Sequence, residues 1–174
     1  LAASFNYSAY DDAISVSARF LTETQDAAMA LLKGSLVAPS FTDVALNRVR
    51  AQVLAGLKSD SKDPDSIVSQ RFDALAFGAH PYGSRAEGTI DSVSALTQDQ
   101  IRAAHLGTLV RDRVYASAVG DITAEQLTTL LDSLLSDLPQ AGRPMPSKVA
   151  YELDGGTTVV WLHETDVVRI TAKD

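Results

Sequence analysis

His80-Pro81-Tyr82-Gly83 opens the stretch of sequence that decides the fold, and Gly88-Thr89, Thr97-Gln98-Asp99-Gln100 and Val119-Gly120-Asp121-Ile122 follow it in order. In the same order, these segments predict a tight turn, the start of a short helix, a capped helix, and a strand that ends at a glycine turn. The proline fixes φ at a turn corner, and the glycines tolerate backbone angles that a side chain would oppose. A second capping box, Thr123-Ala124-Glu125-Gln126, opens the next helix.

Upstream of this stretch, the sequence predicts a hairpin and three helices. Residues 4–10 and 13–20 alternate apolar and polar side chains around an Asp-Asp turn, as in a hairpin with one buried side. A capping-box pattern at residues 22–25 starts a helix that Pro39 ends, and two more helices cover residues 42–60 and 64–77. The helical spacing of apolar residues predicts which side chains of these three helices face the core: Ala28, Leu31, Leu32, Leu36, Val44, Val49, Val53, Leu54, Leu57, Ile67, Val68, Phe72, Leu75 and Phe77.

Downstream, the pattern returns to strands. Residues 113–119 read as a buried strand, and an amphipathic leucine-rich helix follows the capping box at residues 123–126. Residues 139–146 form a linker that contains proline and glycine, and residues 157–162 and 167–170 read as two further strands. The order of strands, helices and strands favours an α+β fold, with helices packed on one face of a mainly antiparallel sheet.

Composition excludes several classes of function. The 174 residues carry a formal net charge of −7, so a nucleic-acid partner is not expected, because phosphate binding needs a basic face. No run of about 18 apolar residues could span a membrane, and the absence of cysteine rules out disulfides and thiolate metal sites. The chain begins at Leu1 without a signal-peptide pattern, and we expect it to be a processed or excised piece of a longer protein.

The motifs taken together resemble the M16 zinc peptidases, the family of insulinase, pitrilysin and the mitochondrial processing peptidase. The resemblance implies two similar α+β halves that close around a peptide, within one chain or as two subunits. Residues 1–150 resemble part of an N-terminal half whose opening segment is missing, and residues 151–174 resemble a linker with the first strands leading toward a second half. Structural roles are implied for His80, Pro81, Tyr82, Gly83, Gly88, Gly120 and Asp121.

The zinc ligands of that family have no counterpart in this sequence. M16 enzymes use His-x-x-Glu-His, in which two imidazoles one helical turn apart bind zinc and the glutamate acts as general base. The three histidines, His80, His105 and His163, do not stand in that spacing. Ala55 and Gly56 occupy the place where the resemblance puts the third ligand, a glutamate, and the sequence has no glutamate between residues 23 and 87. We therefore expect no catalytic and no metal-binding residue in this chain.

Other sites remain as weaker alternatives. His80 or Tyr82 could contact substrate rather than only form a turn, and Asp60, Asp63 and Asp65 could hold calcium, although the EF-hand spacing is absent. A single glycine at the strand-to-helix junction is a poor phosphate site, and no Gly-x-Ser-x-Gly elbow occurs. We interpret His163 as an exposed turn residue and His105 as a helix-face residue.

The function implied by the resemblance is that of a non-catalytic peptidase-like subunit or domain in a bacterial M16 system of proteolysis. It would complete the chamber and help to hold the peptide substrate. Its partner would be an active, zinc-bearing M16 subunit or a second half of the same chain, and zinc is expected only there. A periplasmic or secreted location is the expectation. Two alternatives stay open: an excised fragment of an active zinc metalloendopeptidase, and an unrelated α+β protein-binding module.

Overall fold

The computed structural model describes residues 1–151, 153, 155–161 and 167–172, the last six and residue 161 by their backbone alone. Its strands and helices follow the order expected of an α+β fold, and that class is confirmed. The strands are β1 (Ala3–Ala9), β2 (Ile14–Phe20), β3 (Gly156–Trp161) and β4 (Val167–Ala172). The helices are α1 (Gln25–Val37), α2 (Asp43–Asp60), α3 (Pro64–Phe77), α4 (Ile90–Ala95), α5 (Gln98–Thr108) and α6 (Ala124–Leu135).

Two compact units divide the chain, and each is discontinuous in sequence. The first unit consists of residues 1–42 and 97–144, and the second consists of residues 43–96 and the described residues from 145 onward. Each unit contains one antiparallel pair of strands, β1 with β2 in the first and β3 with β4 in the second. The predicted single sheet is therefore two separate hairpins within the described residues.

The first unit is built on the apolar face of the β1–β2 hairpin. Its register places Phe5 opposite Ala18 and Tyr7 opposite Val16, so alternate residues of both strands share one face. Helix α1 packs on that face and α6 packs on α1. The resulting core is Leu32, Leu36 and Leu134, with Phe5, Val16, Met29, Leu109, Leu131 and Leu135 against it.

The second unit holds helices α2, α3 and α4 and the turn at residues 80–83. Helix α2 packs against α3 and α4, and α3 packs against β4 and the turn that follows α3. Asp63 caps α3 by accepting a hydrogen bond from the backbone N–H of Ser66 at 2.8 Å, and Gly78 ends the helix at a φ of 55°. Both predicted ends of this helix are therefore present, since a side-chain cap begins it and a glycine ends it.

The predicted buried strand at residues 113–119 is wrong. Arg111–Arg113 form a short 3-10 turn, and residues 114–119 belong to no strand in the described part of the chain. Tyr115 is 99% exposed and Val119 is fully exposed. A strand needs a partner for its backbone groups as well as an apolar pattern, and the pattern alone does not supply one.

Two smaller predictions are also wrong. The capping box at residues 22–25 does not form, because Thr22–Thr24 make a 3-10 turn and α1 begins without a side-chain cap. Some apolar residues predicted to face the core are instead exposed, because the buried stripe of each helix is narrower than its apolar stripe. They are Leu31, Val44, Val49, Phe72 and Leu75.

Candidate functional site

The turn at residues 80–83 is closed by the ring of its own first residue. Pro81–Gly83 form a 3-10 turn, and His80 Nδ1 accepts a hydrogen bond from the backbone N–H of Tyr82 at 3.3 Å. His80 Nε2 lies 3.1 Å from the carbonyl oxygen of Ser147. With Nδ1 as the acceptor, Nε2 is the ring nitrogen that donates to that carbonyl. His80 therefore ties the turn to the segment after the linker.

Aromatic contacts fill the rest of this turn. The ring of Tyr82 packs edge-to-face against Phe77 at 5.5 Å and against His80 at 4.6 Å between centroids. Gly83 lies so close to the backbone of Gly78 that a Cβ there would collide with its carbonyl oxygen. The rings of His80 and Tyr82 thus pack within the turn, and the structural role implied for the motif stays a prediction.

Gly88 and Thr89 start α4 as the sequence predicts. Gly88 has a φ of 83°, a region that favours glycine, and a Cβ there would lie 2.8 Å from Ser92 Oγ. Thr89 and Ser92 form a reciprocal capping box, in which each side chain accepts from the other's backbone N–H. The predicted boxes at Thr97 and Thr123 also form. This motif segment is accounted for by helix initiation.

Helix α2 carries the two positions that the resemblance assigns to the missing zinc ligand. Ala55 and Gly56 are exposed, and open space surrounds the place of a Cβ on Gly56. The acidic residues of the helix are Asp43 at its start and Asp60 at its end. Asp60 is paired with the guanidinium of Arg85, so its carboxylate is already engaged.

The described residues do not provide a donor set that fits a catalytic zinc ion. Within residues 1–151, 153, 155–161 and 167–172, no three His, Asp or Glu side chains lie together in a way that could hold a metal. His163 lies outside the described residues. The alternative calcium site fails for a visible reason: Asp60 pairs with Arg85, and Asp63 caps α3. The hydrogen bonds from Ser66 hold the pKa of Asp63 below its ordinary value.

Gly120 and Asp121 lie between residues 114–119 and α6. Gly120 has a φ of 147°, and its carbonyl oxygen accepts from the backbone N–H of Ile122. The capping box of Thr123 then begins α6, and hydrogen bonds from the backbone of Glu125 and the hydroxyl of Thr123 lower the pKa of Glu125. The described residues place no second glycine at this junction, so the phosphate interpretation gains no support.

Two features were not predicted from the sequence. One is a groove between α1 and α6, lined by Gln25, Asp26, Met29, Ala30, Lys33, Glu125, Gln126, Thr129, Leu130, Ser133 and Leu134. At its end, Lys33 pairs with Asp137 at 2.8 Å, and this hydrogen bond lowers the pKa of Asp137. The other is His105, whose ring packs edge-to-face on Phe41 and whose buried Nε2 has no partner among the described residues.

Relatives of this chain were found among curated proteins and solved structures. No family model matches the chain. A protein named non-peptidase homolog YmxG, from Helicobacter pylori, is 27% identical over 139 residues, which are 80% of this chain and 32% of that protein. An uncharacterized zinc protease of Mycobacterium leprae is 28% identical over 116 residues, 66% of this chain and 26% of that protein.

A solved structure has the same fold. The crystal structure of a peptidase M16 inactive domain from Pseudomonas fluorescens matches with a TM-score of 0.82 and 24% identity, over 88% of this chain and 38% of that one. The chain therefore spans between 26% and 38% of the length of these relatives. The expected resemblance to the M16 peptidases is confirmed by both comparisons.

Proposed function

We propose, from the premise that this chain has an M16 peptidase-like fold, that it is a non-catalytic domain of an M16 zinc metallopeptidase system. The observation that carries the proposal is helix α2. This helix contains no glutamate and no histidine. The positions that the resemblance assigns to the missing ligand are the exposed residues Ala55 and Gly56. The three-ligand set of two histidines and one glutamate, found in zinc peptidases, is incomplete without that carboxylate.

The role we assign to the domain is to complete a peptidase chamber and help hold a peptide substrate. Its partner would be an active, zinc-bearing M16 subunit or a second half of the same polypeptide. The names of two relatives support this proposal: a non-peptidase homolog in one case and a peptidase M16 inactive domain in the other. The alternative of an unrelated binding module loses its basis, because both the sequence and the fold match the M16 relatives.

Zinc content and peptide hydrolysis test the proposal against the remaining alternative, a fragment of an active enzyme. We expect the purified chain, dialysed against zinc, to retain no more metal than the same chain treated with a chelator. We also expect it to leave an unstructured fluorogenic peptide uncleaved. One zinc per chain together with cleavage that a chelator abolishes would refute the proposal.

The partner is tested by reconstitution from purified components. The chain would be mixed with an M16 subunit from the same cells whose sequence contains His-x-x-Glu-His and a downstream glutamate. We expect the mixture to form a stable complex and to bind the fluorogenic peptide more tightly than the zinc-bearing subunit alone. An unchanged peptide affinity and two separate peaks on size-exclusion chromatography would remove the chamber role.

A further inference from the structure

Residues 139–144, which we call the strap, are the last residues of the first unit before the chain returns to the second unit at Met145. Two prolines and a glycine predict a linker here. The structure places this linker against the end of α5 and the 3-10 turn at residues 111–113. Leu138, directly before the strap, is 6% exposed and fixes the point where it starts.

The start of the strap is bonded to the 3-10 turn. The backbone N–H of Arg111 donates to the carbonyl oxygen of Pro139 at 2.9 Å. The backbone N–H of Asp112 donates to the carbonyl oxygen of Gln140 at 3.1 Å. Because the two bonds join consecutive residues on both sides, they form and break together.

The end of the strap is held by a close approach of two glycines. The backbone N–H of Arg143 donates to the carbonyl oxygen of Gly107 at 2.9 Å. A Cβ on Gly142 would collide with that same oxygen and would lie 2.9 Å from a methyl group of Val110. Gly142 does not have a positive φ, so this position requires space rather than an unusual backbone angle. The missing side chain therefore allows the strap to lie against α5.

The rest of the strap is poorly buried. Gln140, Ala141, Arg143 and Pro144 are exposed, and Pro139 is half-buried. The core of the first unit is built without any residue of the strap. A segment that has few buried apolar contacts and exposed backbone hydrogen bonds opens at a lower cost than the core around it. Opening the strap would therefore leave that core in place.

We propose that the strap opens as one unit while the first unit stays folded, and that Gly142 is the position that allows it to close. Opening breaks the three backbone bonds and adds residues 139–144 to the free connection before Met145, about 20 Å of extended chain. The strap is thus a reserve of chain length for the segment that follows it. The inference rests on contacts within the first unit, so it holds or fails independently of the proposed function.

Native-state hydrogen exchange of the full chain at low urea concentrations tests whether the strap opens by itself. The reporters are the bonded amides of Arg111, Asp112 and Arg143, and the amides of Leu32 and Leu36 in α1 report unfolding of the first unit. We expect the reporters to be at least tenfold less protected than the α1 amides. Low urea should accelerate exchange in α1 but not at the reporters, because a local opening exposes little surface.

Alanine variants test the role of Gly142. Gly142→Ala places a methyl group against a backbone oxygen, so we expect it to lower the protection of the reporters tenfold or more and to leave the α1 amides unchanged. In Gly107→Ala, the methyl group meets the flexible side chain of Arg143, and the loss of protection should be smaller. Ala141→Ser, at an exposed position of the strap, is the control and should match the unaltered chain.

Three results would overturn the proposal. One is that urea accelerates the reporters in parallel with the α1 amides, because the strap would then open only when the first unit unfolds. Another is that the protection of the three reporters differs by more than tenfold among them, because the strap would then not open as one unit. The third is that Gly142→Ala behaves like Ala141→Ser. The first two results are read from the unaltered chain and do not depend on the folding of a variant.

Discussion

At the scale of single residues, two glycines lie in opposite surroundings. Gly83 faces the carbonyl oxygen of Gly78 across the turn, and that oxygen belongs to backbone, which cannot swing aside as a side chain can. Gly56 lies within α2 with open space around it. The two positions therefore form a matched pair for the same substitution.

We expect Gly83→Ala to lower the free energy of unfolding by about 1–3 kcal/mol, because the new methyl group overpacks the turn. We expect Gly56→Ala to raise it by about 0.5–1 kcal/mol, since alanine in an exposed helix interior loses less conformational entropy than glycine. Urea denaturation of both variants gives the two values. Changes of the same sign would contradict the steric account of the turn.

At the scale of elements, the helix starts were largely predictable and the strand pairing was not. The boxes at Thr97 and Thr123 and the cap at Asp63 depend on residues three positions apart, so the local sequence determines them. Local sequence is not always sufficient: the capping box predicted at residues 22–25 does not form, because those residues begin with a 3-10 turn that has no side-chain cap. Pairing of residues 114–119 depends on another strand, and no local pattern reveals whether one is present.

Asp63 gives the helix cap a pH dependence with a defined sign. Its pKa is lowered in the folded chain by hydrogen bonds from Ser66, so the ionised form stabilises the fold. That contribution is complete above the ordinary aspartate pKa of about 4 and is lost as the pH falls through the lower folded value. Asparagine can cap the helix without titrating.

We therefore expect the stability advantage of the unaltered chain over Asp63→Asn to shrink as the pH falls below about 4. Denaturation midpoints at a series of pH values measure it. Asp65→Asn, in the first turn of the same helix, is the control. Its advantage over Asp63→Asn should shrink over the same pH range as that of the unaltered chain. An advantage that stays constant across the series would show that the charge of Asp63 does not strengthen the cap.

At the scale of the whole chain, composition determines what the surface can attract. The net charge of −7 and pI near 4.8 oppose association with phosphate backbones. No helix among the described residues is long and apolar enough to cross a bilayer. The candidate site was predictable only in part. The sequence located the turn at residues 80–83, and the place of a lost glutamate at Ala55 and Gly56 stays a prediction from the resemblance. The contact of His80 with Ser147 joins residues too distant for any local pattern.

We expect the purified chain to show no electrophoretic shift of double-stranded DNA or RNA even at low salt, where electrostatic attraction is strongest. A basic protein of similar size serves as the positive control. A shift that weakens as salt rises would mean that a local cationic surface outweighs the net charge.

The interleaving of the two units has a consequence for how the chain folds as it is synthesised. Residues 43–96 all emerge between the two parts of the first unit, so β1, β2 and α1 are made long before α6 is available to cover them. Contacts between such distant segments slow folding, because loop closure must precede them. The face of α1 that packs on α6 therefore stays uncovered until α6 is made, which exposes apolar surface of the nascent chain to chaperones.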